Sequence, residues 1–96
     1  MFIVSITYTS DISEIDKHLN EHVTYLDNQY KLGNFLLSGR KEPRTGGVII
    51  SNVNSRKELD EILNLDPFFR EELASYDVTE IVPTKADANF EYLLGA

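Results

Sequence analysis

The chain has 96 residues, no cysteine, and 16 acidic against nine basic side chains, for a formal charge of −7. One domain over residues 1–96 is expected, disulfide and thiolate chemistry are excluded, and the acidic balance speaks against nucleic acid or an anionic membrane as partner. The first apolar run, Met1 to Ile6, has no basic leader, and no stretch reaches the roughly 20 apolar residues that span a bilayer, so a cytoplasmic protein is expected.

From Phe2 to Tyr8 the even positions are apolar, and this period of two predicts a strand. The period then changes: Ile12, Ile15, Leu19, Val23, Leu26 and Tyr30 recur every three or four residues, which predicts one amphipathic helix capped by Asp11 and stopped at Gly33. Asn34 to Arg40 reads as a strand whose end, Ser38-Gly39, approaches a site. Lys41 to Gly47, with Pro43, Gly46 and Gly47, reads as the connection of a hairpin, and the β-branched run Val48 to Val53 as its second arm.

Ser55 with Glu58 matches a capping box, and Leu59, Ile62 and Leu63 form the stripe of a second helix. Pro67 drives Asp66 out of the α region and breaks that helix just before Phe68 and Phe69. Tyr76 to Val82 alternates as a last strand closed by Pro83. The tail from residue 84 onward carries Phe90, Tyr92, Leu93 and Leu94, which suggest docking on the body or on a partner.

The order β-α-β-β-α-β predicts an α+β fold of ferredoxin-like type, with two helical segments on one face of a four-stranded antiparallel sheet. Apolar residues fall on both parities of the strands, as at Leu36-Leu37 and Ile49-Ile50, so the second sheet face needs a cover. A chain this short has a modest core, and a homodimer that buries that face is the natural solution.

His22 lies about 60° from the centre of the first helical stripe, at the margin of the buried face, taking about 100° per residue. It reads either as a core-edge histidine or as an acid/base group in a crevice. His18 and His22 have the i,i+4 spacing of shared metal ligands, with Glu14 one turn further, but no HExxH pattern accompanies them and no metal is expected. Asp66, before Pro67-Phe68, is a local cap or a carboxylate held at an apolar rim. Arg40, Lys41 and Arg44 gather three cations in a Gly/Pro-rich loop, which is either a solvated loop or a recogniser of anions. No nicotinamide, flavin or other cofactor fingerprint appears.

Taken together, His22, the run Leu36-Leu37-Ser38-Gly39-Arg40, the segment Pro43-Arg44-Thr45-Gly46-Gly47, Asp66-Pro67-Phe68 and the final Pro83-Thr84-Lys85 resemble the YciI-like (YCII-related) family over nearly the whole chain. Many relatives have Gly-Pro after the second strand, whereas here Gly39 is followed by Arg40-Lys41-Glu42 before Pro43. The resemblance implies a dimeric α+β barrel, in which two ferredoxin-like sheets pack face to face and each subunit keeps a crevice. It also implies that His22 and Asp66 form a catalytic pair and that Ser38 holds a small-residue site position. Gly39, Arg40, Arg44 and Phe68 then become expected substrate contacts.

The family includes a dehydrochlorinase of chlorinated aromatic diols, so the implied chemistry is cofactor-independent proton transfer or elimination on a small cyclic or phenolic substrate. In that reading Asp66 orients His22, while Ser38, nearby backbone N–H groups and Arg40 or Arg44 stabilise developing negative charge. The alternative is a non-catalytic dimer that binds a small molecule. A minor third reading is an oxygenase-like member of the wider barrel class.

Overall fold

Period-two alternation at the start of the chain becomes β1, Phe2–Tyr8, in a computed structural model that describes residues 1–95. Phe2, Val4 and Ile6 are all buried on one face. The strand occupies the middle of a four-stranded sheet of order β2-β3-β1-β4, with β2 at Phe35–Arg40, β3 at Gly46–Ser51 and β4 at Ala74–Glu80. Every neighbouring pair is antiparallel. With the helices between the strands, this is the expected ferredoxin-like α+β arrangement.

The first helical segment differs from the single helix expected. It is two helices, α1 (Ile12–Lys17) and α2 (Leu19–Lys31), hinged at His18. The His18 imidazole lies 3.1 Å from the Glu14 carbonyl, the acceptor that the His18 N–H would use in an unbroken helix; that N–H turns instead to Ile15, three residues back. A side chain that competes with the helical ladder in this way breaks it. Asp11 stands at the start of α1 without a side-chain cap bond. At the other end the Gly33 N–H bonds Tyr30 and the Asn34 N–H bonds Gln29, a Schellman closure that uses the left-handed φ of +77° at Gly33.

The hinge changes which face of α2 points inward. Tyr25 and Gln29 are buried although both are polar, while Val23 is 46% exposed. Each buried polar group is satisfied: the Tyr25 hydroxyl donates to the Ile62 carbonyl at 3.0 Å, and the Gln29 side-chain oxygen accepts from Asn34 at 2.8 Å.

In β3 the strand begins two residues earlier than its β-branched run, at Gly46. A Cβ there would stand 1.8 Å from the Ile6 carbonyl oxygen, so only glycine lets the strands meet at this point. The capping box holds: Ser55 accepts from the Glu58 N–H at 3.1 Å and opens α3, Arg56–Leu63, with Leu59, Ile62 and Leu63 buried. Pro67 breaks α3 as expected and also starts a further short helix, α4, Pro67–Arg70, since proline suits the first helical position. β4 begins and ends two residues earlier than Tyr76–Val82.

One core cluster joins Phe2, Val4, Ile6 and Ile49 of the sheet to Tyr25, Leu59, Ile62 and Leu63 of the helices. A second, smaller one packs Ile15, Phe68 and Leu73. On the opposite sheet face the registers Ile3↔Ile50 and Leu37↔Ile50 bring three apolar side chains together, and Leu37 is 63% exposed. The tail forms a 3₁₀ turn over Ala88–Leu93 that buries Leu93 and leaves Phe90 and Tyr92 exposed. No helix among the described residues is long and apolar enough to cross a membrane.

Candidate active site

Asp66 is fully buried, and its position follows from the chain's local chemistry. Before Pro67 its backbone is extended, with φ −69° and ψ 125°, and its Oδ1 accepts the Phe68 N–H at 3.0 Å to cap α4. The same oxygen lies 2.8 Å from His22 Nδ1, 44 residues away on α2. Oδ2 accepts the Tyr76 hydroxyl from β4 at 2.5 Å. Asp66 is therefore both the local cap of α4 and the hydrogen-bond partner of His22. His22 is its only ion-pair partner among the described residues.

The carboxylate only accepts hydrogen bonds, so a neutral His22 bonded to it carries its proton on Nδ1. Nε2 has no hydrogen-bond partner among the described residues, and no buried polar side-chain atom there lacks one. It follows that Nε2 reaches the surface, within a ring whose side chain is 13% exposed. The imidazole stacks on Phe68, with centroids 4.1 Å apart and planes 11° from parallel. Phe68 in turn meets the edge of Tyr8 at 5.9 Å.

His22 and Phe68 form one side of a crevice of about 530 Å³. Leu19, Val23 and Leu26 make its apolar wall on α2. This is where the sequence's apolar stripe goes: it faces a cavity while the polar residues beside it face the core. The floor is sheet, from Ile6, Gly46, Gly47 and Ile49. Ser38, Gly39, Arg40 and Arg44 complete the lining.

Ser38 Oγ is 2.7 Å from the Tyr30 hydroxyl, and Arg44 pairs with Asp16 of α1 at 2.7 Å. The hydrogen bond that Arg44 donates to the Asp16 carboxylate holds the guanidinium pKa above its ordinary value. Arg40 extends into solvent with Glu42 at 3.9 Å. Burial, reinforced by the Asp66 charge, pushes the phenols of Tyr25 and Tyr76 well above the ordinary tyrosine range.

Thus the structure brings His22, Ser38, Gly39, Arg40, Arg44 and Phe68 to one crevice, with Asp66 directly behind His22. It does not bring the Glu14-His18-His22 ridge together: His18 faces the Glu14 backbone and His22 faces Asp66. No cluster of three or more metal-ligating side chains occurs among the described residues. Sequence reasoning missed Tyr76, Tyr30 and Tyr8. The placement of Tyr76 opposite Ile6 was open to inference once β1 and β4 were paired.

A family model, the YCII-related domain, matches residues 1–84. The chain belongs to the YCII-related family. Among solved structures, this YCII-related chain is similar to 5-chloro-2-hydroxyhydroquinone dehydrochlorinase from Burkholderia phenoliruptrix AC1100 in complex with 2,5-dihydroxybenzoquinone. The TM-score is 0.71 at 16% identity, over 84% of this chain and 93% of that one. At that identity the likeness speaks to the YCII-related fold. No curated protein matches the chain.

Proposed function

We propose that this YCII-related protein is a cofactor-independent enzyme that moves a proton on a small cyclic or phenolic substrate, with His22 as the base and Asp66 as the group that orients it. The observation that supports this most is the 2.8 Å contact between His22 Nδ1 and a fully buried carboxylate, with Nε2 left open beside a crevice. With Nδ1 held by that carboxylate, Nε2 keeps its lone pair on a ring that lines the crevice.

The crevice suits a flat ring. Its walls are aliphatic and aromatic, its floor combines isoleucine and glycine, and cations stand at Arg40 and Arg44. Nε2 takes a proton from an acidic O–H or C–H, and the resulting imidazolium is stabilised by Asp66. The electron pair left on the substrate spreads into the ring and its oxygens, near Ser38 and the arginines. Departure of a ring substituent with its bonding pair gives net loss of HX; return of the proton at another carbon gives an isomer. The solved neighbour is a dehydrochlorinase with a dihydroxybenzoquinone bound, and this supports the elimination branch.

The Arg44–Asp16 and Ser38–Tyr30 contacts also fit a second reading, a non-catalytic binder whose polar groups are occupied until a ligand arrives. In either case the active assembly is a homodimer in which the face carrying Ile3, Leu37 and Ile50 is covered by a second copy.

A thermal-shift screen of small phenols, lactones and carboxylates identifies the ligand class, and turnover is then compared in wild type and His22→Ala. Loss of a general base lowers the rate by about 10²–10⁴-fold. Full activity in folded His22→Ala overturns the proposal, and binding without turnover in wild type favours the second reading.

A further inference from the structure

Asp66 has two oxygens, and the second one governs the first. Oδ1 faces His22 and the Phe68 N–H, while Oδ2 faces the Tyr76 hydroxyl at 2.5 Å, the short distance of an O–H donated to a carboxylate. Tyr76 does not line the crevice. Its ring is gripped edge to face by Phe69, with centroids 5.2 Å apart, and its backbone is fixed opposite Ile6 in the sheet.

We propose that Tyr76 is a positioning residue for His22: its hydroxyl locks the Asp66 carboxylate, so that the imidazole keeps its proton on Nδ1 and its lone pair on Nε2. This rests on the reading of His22 as the base and names the device that holds that base ready. Without the Tyr76 hydroxyl, Oδ2 is a buried carboxylate oxygen with no partner. Such an atom is relieved by rotation of the carboxylate or by uptake of a proton. Rotation moves Oδ1 away from His22, and protonation makes Asp66 a weaker acceptor. Both release the imidazole to exchange tautomers, and the tautomer with its proton on Nε2 has no lone pair to offer the crevice.

The groups around the carboxylate suit this role. His22 and Tyr25 approach from α2 and Tyr76 from β4, with Tyr8 of β1 nearby, and no lysine or arginine pairs with Asp66 among the described residues. The burial that suppresses ionisation of Tyr76 also keeps it a donor.

The test uses the full chain without substrate. Its two histidines make the ¹⁵N spectrum of the imidazoles simple to assign. At about pH 8.5, above the ordinary histidine range, wild-type His22 should show a protonated Nδ1 and a bare Nε2. In Tyr76→Phe the tautomer ratio should fall severalfold, with His18 unchanged as internal control. An unaltered His22 ratio in folded Tyr76→Phe overturns the proposal.

Should that variant not fold, the wild-type protein with ¹³Cζ-labelled tyrosine decides. Tyr76 should stay protonated until alkaline unfolding, and its ionisation in the folded protein overturns the proposal. With a substrate in hand, kcat should drop in Tyr76→Phe while KM holds. Activity retained in His22→Ala would remove the base reading while leaving the tautomer result intact, so the two failures are distinguishable.

Discussion

Replacing Asp66 tests how this site is built, because three donors converge on one buried carboxylate: His22 Nδ1 at 2.8 Å, the Phe68 N–H at 3.0 Å and the Tyr76 hydroxyl at 2.5 Å. Asp66→Ala leaves all three without an acceptor in a place that water does not reach. Each stranded donor costs about 1–3 kcal/mol, so the loss is roughly 3–9 kcal/mol, comparable to the whole stability of a domain this size. Asp66→Asn is different. Its amide oxygen still serves His22 and the Phe68 N–H, its NH₂ donates to a reversed Tyr76 hydroxyl, and a buried charge disappears. Weaker bonds set against that relief leave a loss of about 1–2 kcal/mol. Urea unfolding of the three proteins, followed by circular dichroism, separates these outcomes. If Asp66→Ala is as stable as Asp66→Asn, the network is not what holds α4 to α2 and β4, and the reasoning fails.

Two other consequences follow from the same structure. Tyr25 and Tyr76 have raised pKa values in the fold, so above about pH 10 the unfolded chain releases protons that the folded one retains. Their stabilisation is complete below that pH and declines as pH rises further; a denaturation midpoint that stays constant between pH 9 and pH 11, roughly spanning the ordinary tyrosine range, contradicts the assigned burial. Leu37→Asp places a charge beside Ile3 and Ile50 on the open sheet face, and light scattering should show a wild-type dimer turned into a folded monomer; an unaltered dimer moves the interface elsewhere.

The order of the strands and the start of α3 were legible because period and capping residues agreed, as at Phe2–Tyr8 and Ser55, and Pro67 was legible as a helix break but not as the start of α4. The boundaries of β3 were hidden because Gly46 belongs to the strand for a reason no propensity records, the approach of the Ile6 carbonyl. The break at His18 was hidden because it depends on an imidazole reaching back to Glu14.

That break explains the largest gap in the reading of the site. The apolar stripe Leu19-Val23-Leu26 looks like core in sequence, yet it walls the crevice, and His22 with Tyr25 and Gln29 turns inward through hydrogen bonds. Of the residues expected at the site, His22, Ser38, Gly39, Arg40, Arg44 and Phe68 line one crevice, and Asp66 lies buried behind His22. Tyr76 escaped notice because its role depends on a single hydroxyl meeting Asp66 across the fold, which local pattern does not encode.

The most direct measurement of the central claim is a double-mutant cycle on an identified substrate, with kcat/KM determined for wild type, His22→Ala, Asp66→Asn and the double variant. If Asp66 acts only through His22, each single change weakens turnover and the double variant is little worse than His22→Ala alone, because effects within one catalytic unit do not add. Losses that multiply in the double variant, or full activity in His22→Ala, would contradict it.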